Sequence, residues 1–217
     1  MGHRGSQTEG AQCKGGTALE NHAGHRKGRW LDYDHLTRLL NPDREQLFPR
    51  PEILALLNLG EGMTVADIGA GSGYMTGVLA TAVGVAGRVA AVDPSPAARE
   101  HLAERRAEGP FHQVEIRDGT ASATTLPDAC ADRVLWQAVY HEFPDHAAAF
   151  LEARRILKPR GLLVMVDWDP SHEGVGPPAH ERVTSATARQ AAEATGFLTQ
   201  TETRVSDAVW AVVAARP

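Results

Sequence analysis

From residue 61 to the C-terminus, apolar-rich runs alternate with segments whose apolar positions recur every three or four residues. The runs predict strands over 64–68, 88–93, 111–116, 131–139, 161–168, 197–204 and 208–215. Between them, helical spacing predicts helices over 74–83, 96–108, 145–157 and 181–195, the last stopped by Gly196. Two further helices are expected upstream, over 31–40, closed by Asn41-Pro42, and over 52–59, stopped at Gly60. A strand apolar at nearly every position, such as GLLVMVDW (161–168), must be covered on both faces, which indicates a mostly parallel sheet between helices. Only Val205-Ser206-Asp207 separate the last two strands, and so short a connection permits only an antiparallel pair. The expected fold is α/β: a doubly wound, Rossmann-like, seven-stranded sheet, mostly parallel, with one antiparallel strand near the C-terminus, at the end of the sheet.

Residues 1–28 show no hydrophobic period and are expected to form a disordered tail, since such a segment buries too little apolar surface to offset its ordering entropy. Residues 29–60 are expected to form a helical lid segment, and 61–217 one domain. No run of eighteen apolar residues exists, so no membrane-spanning helix is expected. An N-terminus without an apolar signal-type stretch sets the expectation of a cytoplasmic protein. The net charge of −5 is uneven: residues 1–30 carry five Lys/Arg and two Asp/Glu, leaving 17 basic and 25 acidic residues in the rest. An acidic body disfavours contact with a phosphate backbone, so nucleic acid is not an expected partner. Cys13 and Cys130 are too few for a disulfide framework or a cysteine zinc site, and the ten histidines include no HExxH pair. No metal is expected.

The chemistry concentrates in VADIGAGSG (65–73), where Gly69, Gly71 and Gly73 follow a strand and open a helix. Glycines there allow a tight turn and the close approach of a ligand, which in an open α/β sheet sits beyond the carboxyl ends of the strands. Asp93 ends the second strand, 22 residues after Gly71, where a carboxylate can accept hydrogen bonds from both hydroxyls of a ribose. Ser95 can cap the following helix and so leave Asp93 free. A dinucleotide fits poorly. The third glycine of G-x-G-x-x-G is missing, being Tyr74 or Thr76 according to the starting glycine, and Asp67 would repel a pyrophosphate.

These residues resemble the nucleotide loop of class I S-adenosylmethionine-dependent methyltransferases. The likeness extends through EIRDGTASATTLPDACADRVLWQAVYHEF (115–143) and ARRILKPRGLLVMVDW (153–168), which are similar to blocks of the ubiquinone/menaquinone-biosynthesis-like branch, and it covers about residues 45–217. The resemblance implies an enzyme that takes a methyl group from S-adenosylmethionine, releases S-adenosylhomocysteine and methylates a small-molecule acceptor. It implies a cofactor site of Asp67 near the methionine amino group, Gly69, Ala70, Gly71 and Gly73 under the methionine and ribose, and Asp93 with Pro94 at the ribose. Asp118 and Gly119 would lie beside the adenine, and Gln137 at the methionine end. Arg117 and Arg160 depart from the family pattern; Arg160 is harmless if its backbone is not left-handed. The alternatives are a nicotinamide-dependent oxidoreductase and a non-catalytic S-adenosylmethionine-binding protein.

Methyl transfer is a displacement that depends on in-line positioning and needs a base only if the acceptor must lose a proton. His141, after the fourth strand, is the candidate base, with pocket lining or packing as its other readings. Asp167 and Asp169 end strand five at the same rim, but Gln137 stands where a magnesium site would want another carboxylate. Trp30, Tyr33, Tyr140, Trp168 and His180, with His35, are the candidates to line the acceptor pocket.

Overall fold

The computed structural model describes residues 40–109 and 111–217. The expected tail, nearly all of the helix over 31–40, and Trp30, Tyr33 and His35 lie outside the described residues.

All seven expected strands form: β1 (Thr64–Ile68), β2 (Arg88–Val92), β3 (Val114–Arg117), β4 (Ala131–Gln137), β5 (Leu157–Trp168), β6 (Leu198–Arg204) and β7 (Val209–Ala215). They make one sheet in the order β3-β2-β1-β4-β5-β7-β6. The strands from β3 to β5 are mutually parallel, and β7 runs antiparallel to both its neighbours. The antiparallel strand is therefore last in the chain but second from the edge in space. From β1 the chain winds outward to β2 and β3, then crosses back to place β4 on the other side of β1. The order of the strands reverses there, which opens a crevice above the carboxyl ends of β1 and β4.

Among the described residues six α-helices accompany the sheet: α1 (Arg44–Leu47), α2 (Arg50–Leu57), α3 (Thr76–Val83), α4 (Pro96–Glu108), α5 (His146–Ile156) and α6 (Ser185–Ala194). Strand residues alternate between two cores. Val65, Val89, Leu135 and Val164 pack with Phe48, Ile53, Leu57, Leu79 and Leu102; Ala66, Val134 and Met165 pack with Phe150, Ile156, Ala188 and Ala192. Burial on both faces is why these strands read as continuous apolar runs. Each fully buried Leu, Ile or Phe contributes about 1.5–3 kcal/mol. Ile53 and Leu57 of α2, with Phe48 just before it, belong to the first of these cores, so α2 is integral to it. Arg133 fixes it further by donating from Nε to the Leu57 carbonyl (2.6 Å) at the helix C-terminus, where a cation meets the helix dipole favourably.

Element boundaries move for local reasons. The first strand-like residues of 111–116 form a turn, with the Val114 amide donating to the Phe111 carbonyl (3.1 Å), so β3 starts late. Thr184 caps α6 by accepting from the Thr187 amide (3.1 Å), leaving 181–184 outside the helix. β5 starts directly after α5, with a register shift opposite Asp132. Within that irregularity Arg160 has φ +64°, so it is left-handed after all and carries the strain that Gly would avoid. Glu152 on α5 accepts from the Thr124 amide (2.8 Å) and hydroxyl (2.6 Å), tying down the loop that leads on from β3. Its hydrogen bonds with Arg155 help hold its carboxyl down at about 2. Among the described residues no helix is long and apolar enough to cross a membrane.

Candidate active site

The turn after β1 is shaped by its glycines. Gly69 and Gly73 both have φ +72°, and Gly71 has φ +52°. A Cβ on Gly69 would stand 2.6 Å from Val139 Cγ1, and one on Gly73 2.6 Å from Leu102 Cδ2. The loop therefore lies flush against the segment just after β4 and against α4, at conformations that other residues rarely adopt. The Gly69 and Ala70 amides donate to the Val92 carbonyl (2.8 and 3.2 Å), and Arg105 braces the Ser72 carbonyl (2.6 Å). Tyr74, at the failed third-glycine position, is buried, with its hydroxyl 2.8 Å from both the Phe48 carbonyl and Glu45 Oε2.

Two buried carboxylates flank this loop. Asp93 accepts from the Gly71 amide at Oδ2 (2.8 Å) and from the Ser95 amide at Oδ1 (2.9 Å). Ser95 does cap α4, accepting from the Ala98 amide (3.3 Å). Burial pushes the Asp93 carboxyl above its ordinary value, while the two amides and Arg99 oppose that shift. Asp67 on β1 accepts from the Thr76 hydroxyl (2.7 Å). Burial drives its carboxyl up to about 6, Thr76 opposes, and the charge of Asp93 adds to the rise.

Around the rim, Pro94 follows Asp93 half-buried. Asp118 is exposed and bound to Arg99 (2.9 Å), whose same nitrogen donates to the Asp93 carbonyl (2.9 Å). Gly119 is hemmed in: a Cβ there would lie 2.9 Å from the Ala123 and Thr124 carbonyls and from Val92. Gln137 ends β4 with Nε2 buried and without a hydrogen-bond partner.

Beyond β4, Ala138 takes φ +55° and the chain enters a short 3₁₀ turn, Tyr140–Glu142. The turn sends neighbouring side chains opposite ways. Tyr140 does not line the cleft: its ring is fully buried, stacked on His146 (4.2 Å) and Trp136 (5.9 Å). His141 faces Asp167 at the end of β5, with Nδ1 2.8 Å from Asp167 Oδ1 and its own amide donating to Oδ2 (3.0 Å). Asp167 thus sets the ring's orientation and, with Nδ1 as the donor, leaves Nε2 to accept a proton. Burial works against the imidazolium, but Asp167 beside it, with Glu142 and Glu181, outweighs burial and lifts the His141 pKa. Glu142 Oε1 lies 3.7 Å from Nε2. Partial burial raises the Glu142 carboxyl, His141 opposes, and Asp167, Asp93 and Glu181 add to the rise.

Trp168 is buried and forms a wall, its ring packed T-shaped with that of Phe48 (centroids 5.0 Å apart) and Gly176 of the following loop closing on it. His180 is a correction: its side chain is 81% exposed, while that of its neighbour Glu181 is only 16% exposed and acts on His141. Sequence reasoning missed Glu142, Glu181, Phe48 and Arg44, and it weighed Asp167 only as a metal ligand. Among the described residues no cluster suited to a metal ion forms.

Residues 66–165 match the family described as "Methyltransferase domain". A solved S-adenosylmethionine-dependent methyltransferase from Aquifex aeolicus superposes with TM-score 0.82 at 26% identity, covering 86% of this chain and all of that one. The chain is thus similar to class I S-adenosylmethionine-dependent methyltransferases. A demethylmenaquinone methyltransferase of Bacillus licheniformis is 27% identical over 138 residues, 64% of this chain and 58% of that protein. An uncharacterised 37.1 kDa protein in transposon Tn4556 of Streptomyces fradiae is 34% identical over 140 residues, 40% of its length. The chain thus spans about half the length of the curated relatives it matches. S-adenosylmethionine is the cofactor of that Aquifex aeolicus methyltransferase.

One consequence concerns the protein without ligand. Because the folded Asp67 carboxyl titrates at about 6, well above its ordinary value, its ionisation opposes folding. That penalty is absent at pH values below the unfolded pKa, develops as pH rises through 6, and is complete above it. Asp67→Asn is expected to gain about 1–3 kcal/mol of unfolding free energy at pH 8 and nothing at pH 3.5. Urea unfolding at the two pH values measures this; an equal gain at both would rule out the buried charge as its cause.

Proposed function

We propose that the protein transfers the methyl group of S-adenosylmethionine to a small, proton-bearing acceptor, with His141, held by Asp167, taking up the acceptor's proton. The cofactor, when bound, supplies an electrophilic methyl group on a sulfonium. The residues of the cleft suit it. Gln137 Nε2 offers an unused donor, and Asp67 offers a negative group to the cationic methionine end. Asp93 and Pro94 would hold the ribose, and Asp118 with Gly119 would flank the adenine. Gly71 and Gly73 keep the loop low enough for both.

The observation that carries the base assignment is the 2.8 Å contact between His141 Nδ1 and Asp167 Oδ1. A histidine that merely packed would not need a buried carboxylate to fix its tautomer. Nε2 remains the atom that accepts the proton, and Asp167 beside the ring raises its basicity above that of an ordinary imidazole. Trp168 and Phe48 would shield the reacting face from water. The relatives named as demethylmenaquinone methyltransferases make quinone-derived acceptors one class to try, beside phenols, thiols and amines. The nicotinamide alternative loses support because Tyr74 fills the place of the third glycine.

The test is a radiolabelled-methyl transfer screen over those classes with the purified protein. Acceptor-dependent incorporation into at least one class supports the reading. S-adenosylmethionine binding without transfer to any of them would leave the non-catalytic alternative standing instead.

A further inference from the structure

Arg44 on α1 is a charged side chain that nothing in the methyl-transfer account uses. Its guanidinium carbon lies 4.7 Å from the centre of the Phe48 ring and 5.3 Å from that of Tyr74. Stacking of this kind fixes the guanidinium plane and leaves its N–H edge to meet a ligand. Its Nε is buried and has no hydrogen-bond partner, and Arg44 makes no ion pair among the described residues. The adjacent Glu45 does not serve it, being bound to Arg50 and to the Tyr74 hydroxyl. Burial lowers the Arg44 pKa to about 10, opposed by Tyr74 and Asp167, so the group stays charged at neutral pH and lies within range of Asp167. A buried donor without an acceptor is unfavourable, and a carboxylate meeting a guanidinium edge is the geometry that best relieves it.

The position of Arg44 decides which ligand matters. Tyr74 follows directly on the Gly69–Gly73 loop, and Phe48 touches Trp168 (5.0 Å), the wall of the proposed acceptor space. Arg44 therefore stands between the two halves of the cleft. We propose that Arg44 is a carboxylate-binding residue of this cleft, receiving the carboxylate of the cofactor's methionine or one carried by the acceptor. The proposal rests on the methyltransferase reading of the cleft.

Two matched pairs of probes separate the sources. Calorimetry compares S-adenosylhomocysteine with its decarboxylated analogue, which keeps the amine, and then benzoate with benzamide on protein saturated with S-adenosylhomocysteine. The wild-type protein should favour the carboxylate-bearing member of at least one pair by about tenfold or more. Arg44→Gln should remove that preference while binding the partner without a carboxylate as the wild type does, which also shows that its fold is intact. Arg44→Met, which keeps the apolar stem against Phe48 and Tyr74, should do the same, and Arg44→Lys should keep part of the preference. Loss in the first pair assigns the carboxylate to the cofactor, and loss in the second assigns it to the acceptor. No preference in either wild-type pair, or preferences untouched by both Arg44→Gln and Arg44→Met, would overturn the proposal with the methyltransferase reading intact. Failure of the wild type to bind S-adenosylhomocysteine at all would overturn that reading first and the Arg44 proposal with it.

Discussion

Replacing His141 by Gln should lower turnover about 10²- to 10⁴-fold, the usual contribution of a positioned general base. Gln retains much of the volume and can still meet Asp167, but it takes up no proton at neutral pH. Cofactor affinity and Tm should be close to those of the wild type. The pH–rate profile is the decisive readout, because Asp167, Glu142 and Glu181 lift the His141 pKa above its ordinary value. In the wild type, activity should rise with pH as the imidazole loses its proton, with the limb above pH 6.5, and the variant should lack that limb. A variant that raises KM and keeps the limb would make His141 a pocket wall, since uniform binding loss leaves the chemical step unchanged. A large drop in Tm would make it a packing residue.

The second large effect belongs to Asp93. Its two oxygens hold the Gly71 and Ser95 amides, so Asp93→Ala removes a ligand contact and also leaves two buried donors unsatisfied. Each such donor costs about 1–3 kcal/mol, so Asp93→Ala should lose stability as well as ligand. Asp93→Asn is the cleaner variant. Its amide oxygen can still serve one backbone amide, but its NH2 replaces the acceptor that a ribose hydroxyl needs. S-adenosylmethionine should bind Asp93→Asn at least about tenfold more weakly, with most of the wild-type Tm kept. Equal affinities in calorimetry would take Asp93 away from the ribose.

Much of this architecture could be read from the chain because burial on both faces leaves a plain trace. Val65 and Ala66 serve opposite cores and both must be apolar, so β1 shows as a run. The Gly69–Gly73 loop was legible because its backbone demands glycine, and Asp93 because its distance from the loop is set by one helix and one strand. What stayed hidden depends on which way a turn points. Tyr140 and His141 are adjacent in a 3₁₀ turn, and sequence offers no rule for which enters the core. His180 and Glu181 repeat the problem, with the exposed residue taken for the inward one. The partnership of Asp167 with His141 joins residues 26 apart, one at the end of β5 and one in the turn after β4, and the parallel register of β4 and β5 brings them together. Whether Arg160 is harmless depends on its backbone, and a left-handed φ at a non-glycine residue leaves no mark on the sequence.

The most direct test of the account is a structure of the protein with S-adenosylhomocysteine bound. The account predicts both ribose hydroxyls within hydrogen-bond distance of the Asp93 carboxylate, about 2.5–3.0 Å. It also predicts the sulfur open toward His141 Nε2, with room between them for an acceptor atom. Ribose bound away from Asp93, or a sulfur facing away from His141 and Trp168, would contradict it.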